Sequence, residues 1–323
     1  MAIKQQVLAE LERHKGEYIS GEKLAERLGA SRAAVWKSIQ SLMEDGYEIA
    51  SQPRKGYCLS LRSDKLSTEA IMPMVEEDGV QVLVYEELDS SNLEVKRLAA
   101  GGAPHGTVVI AGRQTAGRGR LGRSFASPQG GGLYMSILLR PHLAASLAVD
   151  VTTLAGVAVC ETLEKLTGKK PGIKWVNDIF LNGKKICGIL TEAVTDVETG
   201  MIDSLVLGIG INVTTPIEEF PEEVRKVAGS VFEGEEPTAS RAQIAAGIIH
   251  EIMSRQETLG KHSHMDEYRA RCFILGQRVT FLRDERQYEG VAETILDDGA
   301  LQVRLDSGES MILQSGEVSV RPC

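Results

Sequence analysis

The sequence contains no CxxC pair, and its five cysteines, Cys58, Cys160, Cys187, Cys272 and Cys323, are scattered and odd in number. That pattern speaks against a disulfide framework and a thiolate zinc site, and it predicts free thiols in a reducing cytoplasm. The histidines offer no ligand spacing. "HSH" at 262–264 lies in a polar stretch and reads as a solvated loop, so no metal site is expected. Long apolar runs are missing too. "SLAVDVTTLAGVAVC" carries Asp150 and is too short to cross a bilayer, and "MAIKQQVLAELERHK" mixes charge with apolar residues, unlike a secretory signal. No membrane partner is expected. A GxxxxGK[ST] phosphate loop is also absent.

What is present is an ordinary globular composition, 42% hydrophobic and 25% charged over 323 residues, enough for two or three domains. The net charge of −9 is unevenly spread: residues 1–62 hold ten Lys and Arg against eight Asp and Glu, the remainder 26 against 37. A mildly basic front on an acidic body points to a nucleic-acid partner for the front alone.

That front reads as a winged helix. Ile3, Val7, Leu8 and Leu11 recur at helical spacing. "SGEKLAERLG" reads as a second helix, capped by Ser20 and ended by Gly29. "SRAAVWKSIQSLMEDG" reads as a third, with Ser31 as N-cap and Val35, Ile39, Leu42 and Met43 near one face. Two helices around a short glycine turn make a helix-turn-helix. Ser31, Arg32, Lys37, Ser38 and Gln40 are its candidate exposed positions, of types that reach phosphates and base edges. "YEIASQPRKGYCLS" alternates, turns at a tip carrying Arg54 and Lys55, and returns, as a backbone-clamping β-ribbon would. The alternative is a small protein-interaction module. "LRSDKLSTEAI" (61–71) reads as a linker with Ser67 capping a short helix.

From residue 80 the pattern becomes α+β. "VQVLVYEEL", "TVVIAGRQ", "GGLYMSILLR" and "DSLVLGIGINV" are strand-like; "GIKWVNDIFLNGKKICGILTEAV" reads as two strands around "NGK". "DSSNLEVKRLAAGG" and "LAVDVTTLAGVAVCETLEKLTG" read as helices, the latter largely buried. "AGRQTAGRGRLGRSFASPQGGG" is dense in glycine and arginine, which together suit a phosphate or acyl-phosphate. The arginines repel one another and have little else to hold them, so the loop is expected to be mobile when empty. "GRGRLG" matches GxGxxG in letters, but no helix follows it. A basic surface loop or an RNA contact is the competing reading. In "KWVND", Lys174 and Asp178 would face the same side of one strand, as a charge for a phosphate and a base or metal ligand, or as an ordinary surface ion pair.

In order and approximate spacing, "DSSN", "GRQTAGRGRLGR", "GLYMSILLR", "KWVND", "GKKICGILTE" and "GIGINV" resemble the bacterial biotin–protein ligases, in the bifunctional form that is also the biotin operon repressor. The resemblance spans essentially the whole chain. It implies three parts: a winged helix-turn-helix DNA-binding domain (1–63), a mixed α/β catalytic domain of the biotin/lipoate ligase type (64–272), and an SH3-like β-barrel (273–323). The alternating tail, with turns at "DDG" and "DSGE", fits the last.

The resemblance implies that ATP, with Mg²⁺, and biotin give biotinyl-adenylate, and that a lysine of a biotin carboxyl carrier domain then takes the biotin. By the same match, Lys185 stabilises the charge of the first step and Arg118, Arg120 and Arg123 are the adenylate-loop arginines. Ser90, Ser91, Asn92, Gln114, Gly117 and Gly188 surround biotin, and Arg118, Arg120 and Lys185 also belong there. Asn177 and Asn212 stand near adenine and phosphates, Phe125 packs on the adenine, and Asp178 serves the incoming lysine. Before the resemblance, Ser90–Asn92 read equally well as helix capping. "KWVND" has Val176 where the family pattern has proline. The resemblance further implies a homodimer when adenylate is bound, on operator DNA. A lipoate ligase and a non-enzymatic, effector-binding transcription factor are the two other readings.

Overall fold

In the computed structural model, which describes residues 2–140, 148–195, 202–283, 286–314 and 321–322, the chain begins with three helices. Helices α1 (Ile3–Arg13), α2 (Gly21–Arg27) and α3 (Arg32–Glu44) close on one core with Val7, Leu11, Leu24, Val35, Ile39 and Leu42 fully buried. Ser20 Oγ accepts from Lys23 N and Ser31 Oγ from Ala34 N, so both predicted caps form. Strands β1 (Ile49–Gln52) and β2 (Gly56–Leu59) pair antiparallel as the wing. Two positions on α3 differ from expectation. Met43 is exposed, one residue off the buried stripe. Ser38 is buried and donates to Ala34 O at 2.8 Å, because a hydroxyl on an inward face must find a backbone partner.

The linker is pinned. Lys15 Nζ donates to Ser63 O at 2.6 Å. The Asp64 carboxylate accepts from the backbone and guanidinium of Arg241, and Arg241 also donates to Asp64 O and to Gly132 O. Helix α4 (Thr68–Ile71), capped by Ser67, puts Ala70 and Ile71 into the central core.

That core lies under a seven-stranded sheet: β3 (Gln81–Tyr85), β4 (Thr107–Ala111), β5 (Gly132–Leu139), β6 (Gly172–Lys174), β7 (Asp178–Leu181), β8 (Lys184–Thr195) and β9 (Ile202–Asn212), in the order β3-β4-β5-β9-β8-β7-β6. Only β3 and β4 are parallel, joined through α5 (Ser91–Ala100); the other pairs are antiparallel. Helix α5 covers one face through Val95, Val109, Leu138 and Val206. The other face is covered by α6 (Ala148–Thr167) and α8 (Arg241–Met253), with the short α7 (Glu222–Arg225) between β9 and α8 in sequence. The segment 172–195 holds three strands, not two, because "WVN" turns the chain between β6 and β7.

Helix α6 explains "HSH". Its buried Asp150 needs partners, and it takes them from Gly260 N and from His262 Nδ1, each at 2.8 Å. His264 is buried against Thr153 Oγ1 at 2.8 Å, and burial pushes its imidazole below the usual range. The stretch is therefore anchored through His262 and His264, with only Ser263 exposed, where the sequence reading had a solvated loop. Cys58, Cys160, Cys187 and Cys272 are free and buried, and Cys323 lies outside the described residues.

After α9 (Met265–Arg271) come β10 (Arg278–Arg283), β11 (Arg286–Ile295), β12 (Leu301–Leu305), β13 (Ser310–Leu313) and β14 (Arg321–Pro322), an antiparallel sheet in the order β13-β12-β11-β10-β14. The two predicted turns join its strands, but among the described residues the outer strands do not pair, so the expected barrel closure is not seen. Trp175 Nε1 donates to Gly299 O at 2.9 Å and ties this sheet to the β6–β7 turn.

The Asp64–Arg241 pair yields a prediction. Arg241 is buried and Asp64 only half-buried, so Asp64→Ala strands a charge while Arg241→Met does not. Asp64→Ala should lower the unfolding free energy by about 2–3 kcal/mol and Arg241→Met by less. Urea denaturation followed through Trp175 in a Trp36→Phe background checks this.

Candidate functional site

The antiparallel strands β8 and β9 place Gly188 opposite Gly210, and β5 places Ser136 opposite Gly208. A Cβ at Gly208 would come within 2.1 Å of Asn92 Oδ1, and one at Gly210 within 2.5 Å of the Phe125 ring. These glycines leave a trough on the sheet, roofed by the arginine–glycine loop. The space enclosed is about 160 Å³, with Phe125 lying over the glycine floor and edge-on to Tyr134.

One end is uncharged and fully wired. Ser91 N and Oγ donate to Gln114 Oε1, and Gln114 Nε2 donates to Ser127 Oγ at 2.8 Å. Ser136 Oγ donates to Asn92 Oδ1 at 2.6 Å and lies 2.8 Å from Ser91 Oγ. Ser90, the N-cap of α5, makes no side-chain capping bond; these three residues face the trough instead of the helix end.

The other end is cationic. Lys185 Nζ lies 2.6 Å from Asp178 Oδ1, both about a quarter exposed, on adjacent strands. Lys174 and Asp178 are register partners across the β6–β7 turn, where one straight strand was expected. Arg120 Nη1 donates to Asn177 Oδ1 at 3.0 Å, and Asn177 Nδ2 donates to Ile189 O at 2.7 Å. Burial pushes the Arg120 guanidinium down, opposed by the nearby Asp178 charge. Arg118 Nη1 lies 3.5 Å from Glu192. Arg118 and Arg120 thus have partners, where the loop arginines were expected to have little to hold them. Among the described residues no cluster of three or more His, Cys, Asp or Glu could hold a metal.

Of the residues singled out from sequence, Ser90, Ser91, Asn92, Gln114, Arg118, Arg120, Arg123, Phe125, Asn177, Asp178, Lys185 and Gly188 line this one cavity. Gly117 stands behind it, where a Cβ would meet Phe125 O at 2.3 Å; a side chain there would break the loop's hairpin. Asn212 does not line the cavity: it is buried, and its Nδ2 donates to Gly229 O at 3.0 Å. Lys174, read from the sequence as a candidate charge, lines it too, as do Tyr134 and Trp175, which were not picked out as site residues. Tyr134 sits in an otherwise apolar run, which gave no signal, and in "KWVND" the charged and amide residues drew the reading away from Trp175.

On the front domain Arg32, Lys37, Arg54 and Lys55 are exposed, Ser31 is spent on its cap and Gln40 is half-buried. Arg32 pairs with Glu22, and Lys55 lies over the Tyr18 ring. Trp36, unnoticed in the sequence, is 57% exposed on α3 beside Lys37. No helix among the described residues is long and apolar enough to cross a membrane.

A model described as the biotin/lipoate A/B protein ligase family matches residues 86–212, flanked by a helix-turn-helix model over 4–58 and a biotin protein ligase C-terminal domain model over 274–321. The bifunctional ligase/repressor BirA of Bacillus subtilis is 40% identical over 239 residues, 73% of this chain and 72% of that protein. BirA of Escherichia coli is 31% identical over 309 residues, covering 95% and 94%. The Aquifex aeolicus biotin protein ligase, solved with biotin and ATP, superposes with a TM-score of 0.63 at 29% identity over 75% of this chain and 99% of that one. With these matches covering all three parts, the chain belongs to the biotin/lipoate protein ligase family, in its branch of bifunctional ligase/repressors.

Proposed function

We propose that the trough joins biotin to AMP, hands the biotin to a carrier-domain lysine, and reports the adenylate to DNA through the front domain. The observation that carries this reading is one cavity with a hydrogen-bonding neutral end and a cationic end. Biotin has the matching polarity: a cyclic urea, an apolar body and a carboxylate.

In the first step a carboxylate oxygen attacks the α-phosphorus of ATP and pyrophosphate leaves. Two anions must approach, and the cations offset their repulsion. Lys185 serves both the carboxylate and the phosphate; Arg118 and Arg120 close over the product, with Arg123, Phe125 and Asn177 around the nucleotide. Asp178 is the carboxylate that would help hold Mg²⁺, which would supply neutralisation of phosphate charge. In the second step the carrier amine attacks the acyl carbon and AMP leaves; Asp178 orients or deprotonates that amine. The enclosed 160 Å³ is below the roughly 300 Å³ of small-molecule sites. Phe125 therefore moves off the glycine floor when biotin enters and packs on the adenylate.

The domains divide at residues 63 and 272, and the protein works in the cytoplasm. Arg32, Lys37, Gln40, Arg54 and Lys55 contact operator DNA. Adenylate-driven homodimerisation presents two such surfaces to a two-fold site, and the unmodified carrier domain draws the protein away from it.

Mass spectrometry of a biotin-acceptor domain incubated with the protein, MgATP and biotin should show a gain of one biotin, and a parallel tube with lipoate no gain. Biotin bound without transfer would instead identify an effector-sensing repressor. Lys185→Met should lower kcat by about 10²-fold or more. Arg120→Gly should release adenylate into solution; unchanged retention on gel filtration rejects its role.

The two tryptophans, Trp36 and Trp175, are 57% and 5% exposed. Operator DNA should therefore quench emission from Trp36, and Trp36→Phe should abolish the quenching. An unchanged spectrum on binding means that α3 does not face the DNA.

A further inference from the structure

The last residue of "GKKICGILTE", Glu192, does not line the cavity, yet it is joined to the cavity's neutral end. Its carboxylate is about one-fifth exposed and accepts from Asn92 Nδ2 at 2.8 Å and from Lys96 Nζ at 2.7 Å. Asn92 and Lys96 lie one helical turn apart on α5, so both reach the same point on β8. Burial pushes the Glu192 carboxyl up, and the bonds from Lys96 and Asn92 more than offset it, leaving it below the usual range.

A carboxylate can only accept. Aided by the Leu190 carbonyl, which accepts from the same nitrogen at 3.4 Å, it fixes which end of the Asn92 amide faces which neighbour: the NH₂ points to Glu192, and Oδ1 lies against the β9 backbone at Gly208. Oδ1 then takes the Ser136 hydroxyl proton. With its one proton there, Ser136 does not donate to Ser91 Oγ 2.8 Å away; Ser91 donates to Gln114 Oε1 and keeps a lone pair for an incoming N–H. The Asn92 amide and the Ser136 hydroxyl thus take their directions from the acceptor-only group at the end, and Ser91 keeps its lone pair in consequence.

We infer that Glu192 is a positioning residue that sets the donor–acceptor polarity of the biotin slot, so that the slot offers acceptors to the two N–H groups of a cyclic urea. This rests on the reading above that Ser91 and Asn92 meet biotin. Glutamine at 192 has the same size but can donate as well as accept. It lets Asn92 turn over and scrambles the chain without opening a cavity.

The test is a double-mutant cycle in the full-length protein, with biotin KM and kcat measured separately and melting temperature as a control. Glu192→Gln should raise the KM for biotin about tenfold or more, the worth of a hydrogen bond to a charged group, with kcat within about twofold. Asn92→Ala should raise it comparably. Adding Glu192→Gln to Asn92→Ala should then change little, since the two act as one unit. Additive effects, or an unchanged KM in Glu192→Gln, overturn the role of Glu192. An unchanged KM in Asn92→Ala instead rejects the placement of biotin on which it rests. Lys96→Met is the second variant should Glu192→Gln fold poorly: it removes the carboxylate's other donor, and is expected to raise KM by a smaller factor. No rise in KM in Lys96→Met counts against the inference.

Discussion

Positive charge concentrated where no anion is yet bound repels itself, and this repulsion governs the architecture around the trough. Three of the cations there borrow a partner: Lys185 takes Asp178, Arg120 the amide oxygen of Asn177, and Arg118 approaches Glu192. The loans come from three different strands or turns, so the loop is held over the sheet at several points. An anion competes for the same guanidinium and ammonium protons. Exchange of partners, with no cation left bare at any stage, costs less than creating a buried charge would.

The sheet is arranged to make that exchange possible in a small space. Antiparallel pairing brings Gly188 beside Gly210 and Gly208 beside Ser136, so the missing side chains form one hollow, although the residues are distant in sequence. Around it, polar groups answer one another closely enough that orientation is settled before any ligand arrives. Preorganisation of this kind removes much of the entropy cost of binding a flexible acid.

Much of this was legible beforehand. Ser20, Ser31 and Ser67 announced helix starts by type and position, and each caps as read. The glycine–arginine loop and the six ordered motifs gathered twelve site residues that the fold does bring together. The failures have physical reasons. Ser38 was taken for a surface residue because a serine gives no hint that an i−4 carbonyl will satisfy it. "HSH" looked solvated because its partner, Asp150, lies over a hundred residues earlier on a helix that otherwise reads as apolar. Lys174 and Asp178 were placed on one strand since nothing local in "WVN" marks a reversal. Glu192 had no signal, being an acidic residue in a strand, where solvent is the ordinary partner.

The bond from Trp175 to Gly299 sets a limit on modularity. The turn that carries Asn177 and leads into Asp178 is braced from a sheet that begins a hundred residues later, and the indole N–H it satisfies is buried. Cut free of its C-terminal portion, the catalytic part would keep every residue that touches the trough and still lose the abutment under one wall. Swapping that portion for another is thus an exchange of a structural keystone, and what must be kept is the path of the backbone that presents the Gly299 carbonyl.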